Sequence, residues 1–174
     1  KAGGAKMAEF QPDWIIALGG GSPMDAAKVM WVYYEHPGYD FMELVRFNFP
    51  PLRTKAKLIC IPSTSGTASE ITAFSVITDT DNHIKYPLVS PQIVPDVAIL
   101  DDRIPAKMPP LITAQTGMDV MTHAIEAYVS TAADDYTDPL ALHAIQLVFE
   151  YLETAVKEPT NMVARQKMHD ASTM

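Results

Sequence analysis

The feature that most constrains the fold is a short apolar run that leads through three glycines into a helix. Residues 14–18 (WIIAL) are all apolar, which is typical of a strand buried on both faces of a parallel sheet. After the glycines at 19–21, Ser22 and Pro23 predict a helix that the Ser22 hydroxyl caps. Asp25 is predicted to reach back to the Ser22 N–H in a capping box. The pattern is half of a βαβ unit and predicts an α/β fold.

Further strands are predicted after this unit. The apolar runs at residues 57–61 and 97–100 favour two more buried strands. Between them, residues 72–78 and 84–88 flank a polar turn at 79–82 and predict a β-hairpin.

The pattern changes after residue 107, because three long helical stretches follow and no strand. They run over about residues 111–130 and 138–156, and from 162 to the end. We therefore predict a partial dinucleotide-binding α/β domain over residues 1–107 and the start of a helical domain over residues 108–174. The chain opens without Met in the tail of one helical pattern and ends inside another, which predicts a fragment of a longer protein.

Composition excludes several classes of partner. The chain has 21 acidic and 13 basic residues, a formal charge of −8, and its basic residues are scattered. Nucleic acid and acidic membranes are therefore not expected as partners. With one cysteine, no signal-peptide pattern and no long apolar run, the sequence predicts a cytoplasmic protein with no membrane partner.

Two polar residues stand in an apolar helical stretch. Asp119 and His123 are four residues apart and so lie on one helix face, with Cβ atoms about 5–6 Å apart. Their apolar neighbours predict a helix buried on most sides. The pair either forms hydrogen bonds within the protein or supplies two ligands to a divalent metal, and the residue types leave both explanations open.

Two loops and one lysine are candidate ligand contacts. The glycine triplet before a helix N-terminus suits a pyrophosphate or is a plain tight turn, and Met24 breaks the pattern G-x-G-x-x-G. Residues 63–69 carry five hydroxyl groups after a strand end, where ligands collect but where ordinary turns also occur. Lys85 is by default a solvated surface charge.

Three motifs carry a resemblance to a known family. Residues 19–25 (GGGSPMD), 63–70 (STSGTASE) and 117–128 (GMDVMTHAIEAY) resemble the iron-containing (group III) alcohol dehydrogenases. Residues 19–37 and 55–61 are most similar to the alcohol dehydrogenase half of bifunctional aldehyde-alcohol dehydrogenases. The resemblance covers essentially the whole chain. It implies a Rossmann-like parallel-sheet nucleotide-binding domain followed by an all-helical metal-binding domain, which is the dehydroquinate synthase-like architecture.

The resemblance also implies a reaction and a set of site residues. The expected activity is hydride transfer between a primary alcohol or aldehyde and NAD or NADP, assisted by Fe²⁺ or Zn²⁺ as a Lewis acid in a homo-oligomer. The implied cofactor contacts are Gly20, Gly21, Ser22, Asp25, Ser63, Thr64 and Lys85, and the implied metal ligands are Asp119 and His123. Two further ligand histidines lie beyond Met174 in that family, so the isolated fragment is expected to be inactive.

Alternative functions remain open at this level. A dehydroquinate synthase-like enzyme shares the architecture, but it needs cations for its substrate phosphate, and residues 111–130 contain no Lys or Arg. A polyol or glycerol dehydrogenase-like enzyme would use the same cofactors. A non-catalytic nucleotide-binding module would make Asp119 and His123 a structural pair.

Overall fold

The computed structural model describes all 174 residues, and they form two compact units. The first unit comprises Lys1–Ile61 and Ser69–Ile99, and the second comprises Pro62–Ala68 and Leu100–Met174. A short segment that follows a strand therefore belongs with the helices. The assignment of residues 1–107 and 108–174 to two domains stays a prediction.

The first unit combines helices with a three-stranded sheet and a two-stranded hairpin. Its helices are α1 (Ala2–Phe10), α2 (Gly21–Glu35) and α3 (Phe41–Val45), and its strands are β1 (Trp14–Gly19), β2 (Lys57–Pro62), β3 (Phe74–Asp79), β4 (Ile84–Val89) and β5 (Val97–Ala98).

The three-stranded sheet has the order β1-β2-β5. Strand β2 pairs with β5 in parallel, with Ile59 opposite Val97 and Cys60 opposite Ala98. The predicted α/β class is confirmed. Strand β5 is two residues long, shorter than the predicted 97–100.

Strand β1 is buried on only one face. Ile15 and Ala17 are buried on the side that α2 covers, whereas Trp14, Ile16 and Leu18 point to the other side and are exposed, Ile16 by 65%. The prediction that this strand is buried on both faces is therefore wrong for this chain. An unbroken apolar run shows only that both faces of a strand are suited to burial. Whether both faces are buried depends on which other segments pack against them.

The C-terminal end of α2 is fixed by a buried carboxylate. Glu35 accepts hydrogen bonds from the Trp31 indole N–H at 2.9 Å and from the Thr54 hydroxyl at 2.7 Å. It also accepts from four successive backbone N–H groups, those of Arg53, Thr54, Lys55 and Ala56. One side chain thus fixes the conformation of the segment that leads into β2.

The predicted hairpin is confirmed. Strands β3 and β4 pair antiparallel, with Phe74 opposite Val89 and Asp79 opposite Ile84. The turn is closed by the Asp79 carboxylate, which accepts from the backbone N–H groups of Asp81 and Asn82.

The second unit consists of α4 (Pro110–Tyr128), α5 (Thr137–Lys157) and α6 (Met162–Thr173), so the three predicted helices are confirmed. Arg165 is buried inside this unit, where it donates to the Thr113 hydroxyl, the Met108 carbonyl and the Pro159 carbonyl. The apolar core between the helices is made of Val120, Met121, Ala124, Ala144, Leu147, Val148, Ala155, Ala164, Met168 and Ala171.

Helix α4 is not buried on most sides, and that prediction is also wrong for this chain. Its buried residues form one stripe, which includes Gly117, Val120 and Ala124, and α5 packs on it. Leu111 and Met118 lie on the opposite face and are exposed. None of the helices in the chain combines the length and the apolar character needed to cross a membrane.

Candidate nucleotide site and candidate metal centre

The glycine turn leaves the N-terminus of α2 without a side-chain cap. Gly19 has a φ of +154°, and a Cβ atom there would lie 2.7 Å from Cγ of Pro23, so only glycine suits this position. The helix begins at Gly21 with Gly20 as its N-cap, and no side chain bonds to its first N–H groups. These N–H groups and the positive end of the helix dipole can therefore receive an anion.

The predicted capping roles of Ser22 and Asp25 are wrong. The cap residue is Gly20, and Ser22 lies inside the first turn. The Asp25 carboxylate accepts instead from the Ser69 hydroxyl at 2.6 Å and from the Val76 backbone N–H at 2.9 Å. Its hydrogen bonds are thus made to Ser69 and Val76 and not to the N–H groups at the start of α2, so it does not compete with an anion for those groups.

A buried lysine lies one helical turn after Asp25. Lys28 is fully buried, and its ammonium group donates to the carbonyl oxygens of Thr72 at 2.9 Å and Phe74 at 2.7 Å. Burial lowers the pKa of Lys28, and the nearby carboxylates of Asp25 and Glu70 act in the opposite direction. Asp25 and Lys28 together fix α2 to the segment that begins β3.

The hydroxyl-rich segment after β2 contains both buried and partly accessible side chains. Ser63 and Thr64 are half-buried, whereas Ser65 and the following Gly66 are buried. The hydroxyl of Ser65 lies 3.0 Å from Nδ1 of His169. Two of the predicted cofactor contacts, Ser63 and Thr64, are therefore partly accessible, as is Ala68, while Thr67 is exposed.

Lys85 lies on β4 opposite Thr78, with its side chain exposed. Gly20, Gly21, Ser22 and Asp25 are gathered around the start of α2, while Lys85 belongs to the hairpin.

Asp119 and His123 are brought together on α4. Nε2 of His123 lies 3.5 Å from Oδ1 of Asp119, and their side chains are 56% and 41% exposed. Two ligands of one tetrahedral metal ion, each about 2.1 Å from it, are separated by about 3.4 Å. The observed separation therefore fits two ligands of one metal ion.

Glu126 lies on the other side of the same imidazole. Its Oε2 is 3.8 Å from Nδ1 of His123, so a carboxylate faces the ring nitrogen that a metal on Nε2 would leave free. Such a carboxylate orients a ligand histidine. No group of three or more His, Cys, Asp or Glu side chains is arranged to hold a metal in this chain, so Asp119 and His123 would supply only part of a ligand set.

Sequence reasoning missed Lys28 and the contact between His169 and Ser65, although His169 is buried and its Nδ1 lies 3.0 Å from the Ser65 hydroxyl. The apolar neighbours of His143 predict that it packs in the core, and this is wrong, because His143 is exposed on α5. Lys28 follows Asp25 by three residues, a spacing that puts both on one face of the predicted helix and can be seen in the sequence. No such spacing relates Ser65 to His169.

These elements define a class of protein in which a Rossmann-like α/β unit is combined with a helical unit. Residues 1–102 match the family model for iron-containing alcohol dehydrogenase, and residues 113–174 match the model for the C-terminal part of the Fe-containing alcohol dehydrogenase family. The chain belongs to the iron-containing alcohol dehydrogenase family.

Curated relatives agree with this assignment. The chain is 53% identical over 173 residues to the NADPH-dependent butanol dehydrogenase of Clostridium saccharobutylicum, covering 99% of the chain and 44% of that protein. It is 55% identical over 177 residues to the aldehyde-alcohol dehydrogenase of Streptococcus pneumoniae, covering 97% of the chain and 20% of that protein. The chain thus spans less than half the length of these relatives.

Solved structures show the same fold. The iron-containing alcohol dehydrogenase from Thermococcus thioreducens superimposes with a TM-score of 0.88 at 41% identity, over 98% of this chain and 45% of that one. The sulfoacetaldehyde reductase from Bifidobacterium kashiwanohense, solved in complex with NAD⁺, gives a TM-score of 0.86 at 36% identity, over 99% of this chain and 46% of that one.

Proposed function

We propose that this chain supplies the nucleotide-phosphate turn and two metal ligands of an NAD(P)- and metal-dependent alcohol dehydrogenase. The observation that carries the proposal is the Asp119–His123 pair, whose 3.5 Å separation on an exposed face of α4 suits one metal ion. Membership of the family and the relatives named as butanol and aldehyde-alcohol dehydrogenases support a primary alcohol or aldehyde as substrate.

The residues around α2 would bind the dinucleotide. Gly20, Gly21 and Ser22 lie at the uncapped start of the helix, where N–H groups and the helix dipole bind a pyrophosphate. Asp25 lies beside them, with its carboxylate engaged by Ser69 and Val76. This leaves the phosphate-binding N–H groups free of a competing acceptor.

Three further side chains would contact the nicotinamide half of the cofactor. The proposal assigns Ser63 and Thr64 to the nicotinamide and its ribose through their partly accessible hydroxyls. Lys85 is assigned to the ribose region from its exposed position on β4.

The pair on α4 would hold Fe²⁺ or Zn²⁺, through Oδ1 of Asp119 and Nε2 of His123. When bound, such an ion acts as a Lewis acid on the alcohol oxygen while the nicotinamide accepts the hydride. Glu126, whose Oε2 lies 3.8 Å from Nδ1 of His123, would help to orient the ring through its negative charge. A homo-oligomeric assembly and a cytoplasmic location remain predictions.

Metal content of the full-length protein tests the proposal. The protein is stripped of metal, dialysed to equilibrium against Fe(II) or Zn(II), and assayed for bound metal and for alcohol-dependent formation of NADH or NADPH. We expect Asp119→Ala and His123→Ala to lose both the metal and the activity. His143→Ala is the matched control, because it removes an exposed histidine from the neighbouring helix α5.

The outcomes separate the candidate functions. Unchanged metal content in Asp119→Ala would overturn the metal assignment and favour a structural pair in a nucleotide-binding module. Intact metal and nucleotide binding with no oxidation of any short alcohol would favour the dehydroquinate synthase-like alternative.

A further inference from the structure

The segment Pro62–Ala68 is held by the helices of the second unit. It follows β2 directly, yet it clusters with Leu100–Met174. Ser65 and Gly66 are buried within it, while Ser63 and Thr64 are half-buried. Pro62, at the end of β2, is also buried, and Ser65 and Gly66 make the contacts that anchor the segment to the helices. The two hydroxyls assigned to the nucleotide precede these two anchors.

The first anchor is the contact of Gly66 with α4. A Cβ atom on Gly66 would lie 2.8 Å from Cβ of Thr116 and 3.1 Å from the Thr116 carbonyl oxygen. Any side chain here would push the segment away from the helix. Thr116 is three residues before Asp119, so the segment rests on the same part of α4 that carries the proposed metal ligands.

The second anchor is the hydrogen bond between Ser65 and His169 on α6. The Ser65 hydroxyl is 3.0 Å from Nδ1 of His169, and both residues are 2% exposed. Nε2 of the same ring is buried and has no hydrogen-bond partner. The ring therefore keeps its hydrogen bond to Ser65 although its other nitrogen has no partner in the protein, which is unusual for a histidine that only fills space in the core.

Burial favours the neutral form of this ring. It lowers the pKa of His169, while the charges of Asp170, Asp102 and Asp101 act in the opposite direction. A neutral imidazole has one N–H and one acceptor nitrogen, so in either tautomer Nδ1 can form a hydrogen bond with the Ser65 hydroxyl, as donor or as acceptor.

We propose that His169 is a positioning residue: through Ser65 it fixes the segment Pro62–Ala68 within the helical unit, and with it the positions of the Ser63 and Thr64 hydroxyls that are assigned to the nucleotide. This inference rests on the proposed function. In this role His169 acts through Ser65 and not by contact of its own with the nucleotide or the metal. Because His169 already holds the segment in place in the free protein, the segment loses less conformational freedom when the nucleotide binds.

Two substitutions of the same chemical type distinguish the two nitrogens of the ring. His169→Asn places an amide near the position of Nδ1 and can still bond Ser65. His169→Gln places its amide near the position of Nε2 and loses that bond. A residue that only fills the core would be disturbed in a similar way by both changes.

The measurement is the Kd of NADH and NADPH for the metal-loaded full-length protein, followed by fluorescence titration, with bound metal determined in parallel. We expect His169→Gln to raise the Kd about five- to twenty-fold, as expected when a hydrogen bond that preorganises a binding segment is lost. His169→Asn is expected to stay within about threefold of wild type. Bound metal should be unchanged in both, because neither position is a ligand.

A double-mutant cycle with Ser65→Ala completes the test. If His169 acts through Ser65, then Ser65→Ala weakens nucleotide binding by itself, and adding His169→Gln weakens it no further. Additive effects, equal effects of the Asn and Gln variants, or wild-type binding in His169→Gln would overturn the inference. Failure of the wild-type protein to bind either nucleotide would overturn the proposed function as well. Ser65→Ala removes only one oxygen, so it serves as the informative variant if His169→Gln does not fold.

Discussion

The buried carboxylate of Glu35 predicts a large, pH-dependent effect of one substitution. Burial by itself would raise the pKa of Glu35, but hydrogen bonds from the Thr54 N–H and hydroxyl and from the N–H groups of Ala56 and Lys55 outweigh it and lower the pKa from 4.5 to about 2. The folded protein therefore holds fewer protons than the unfolded chain between these two values. The stabilisation is fully present above pH 4.5 and is lost as the pH falls through about 2.

The magnitude follows in two ways. Each pH unit between the folded and unfolded pKa values corresponds to about 1.4 kcal/mol, which gives about 3 kcal/mol for Glu35. Independently, Glu35→Gln must place an NH₂ group at one carboxylate oxygen. Replacing Oε2 by NH₂ costs less than replacing Oε1, because only the Thr54 N–H and the Thr54 hydroxyl would lose their acceptor. Loss of these two part-buried hydrogen bonds, each worth about 1–1.5 kcal/mol, costs about 2–3 kcal/mol.

We expect Glu35→Gln to lower the free energy of unfolding at pH 7 by about 3 kcal/mol, and the difference from wild type to shrink as the pH falls from 4.5 toward 2. Urea unfolding followed by tryptophan fluorescence measures this, because Trp31 donates to the same carboxylate. Glu9→Gln is the control, since its side chain is 67% exposed and pairs only with Lys6 on the same helix. An unchanged free energy at pH 7, or the same loss at pH 3 and pH 7, would refute the reasoning.

Three further predictions follow from buried groups. Gly117→Ala would place a Cβ against Cδ1 of Leu152, which must shift, while the higher helix propensity of Ala offsets part of the cost; we therefore expect a loss of about 1 kcal/mol or less in thermal unfolding, reduced when Leu152→Ala is added, and strictly additive losses would contradict this. Burial raises the pKa of the Cys60 thiol to about 12, although Lys28 acts to lower it, so a thiol reagent at pH 8 should react only after denaturation; rapid labelling of the native protein would contradict this. Lys28→Met would leave two carbonyl oxygens without their ammonium donor and should cost about 2–4 kcal/mol in chemical unfolding, so wild-type stability would be the contrary result.

Local features were predictable from the sequence. The three helices of the second unit and the β3–β4 hairpin were recognised from periodicity and from the Pro and Gly residues between them. These signals act within a few residues, so one strand or helix is enough to express them. The family was recognised in the same way, from three short motifs, and the family models confirm it.

Burial and capping were predicted less well, because they depend on distant segments. The pattern around Ser22 and Asp25 fits a capping box, yet Asp25 bonds to Ser69, which is 44 residues away, and Gly20 becomes the cap. The apolar runs of β1 and α4 predicted burial on more sides than this chain covers.

The sequence by itself determined that Asp119 and His123 lie close together, because four residues along a helix set their spacing, and that the chain turns sharply at Gly19 before a helix N-terminus. Only the tertiary structure decided which partners the buried polar groups take. Ser65 and His169 meet across 104 residues of chain. Such a contact results from the packing of whole helices and strands, in which many weak interactions act together. The spacing of residues in the sequence therefore does not predict it.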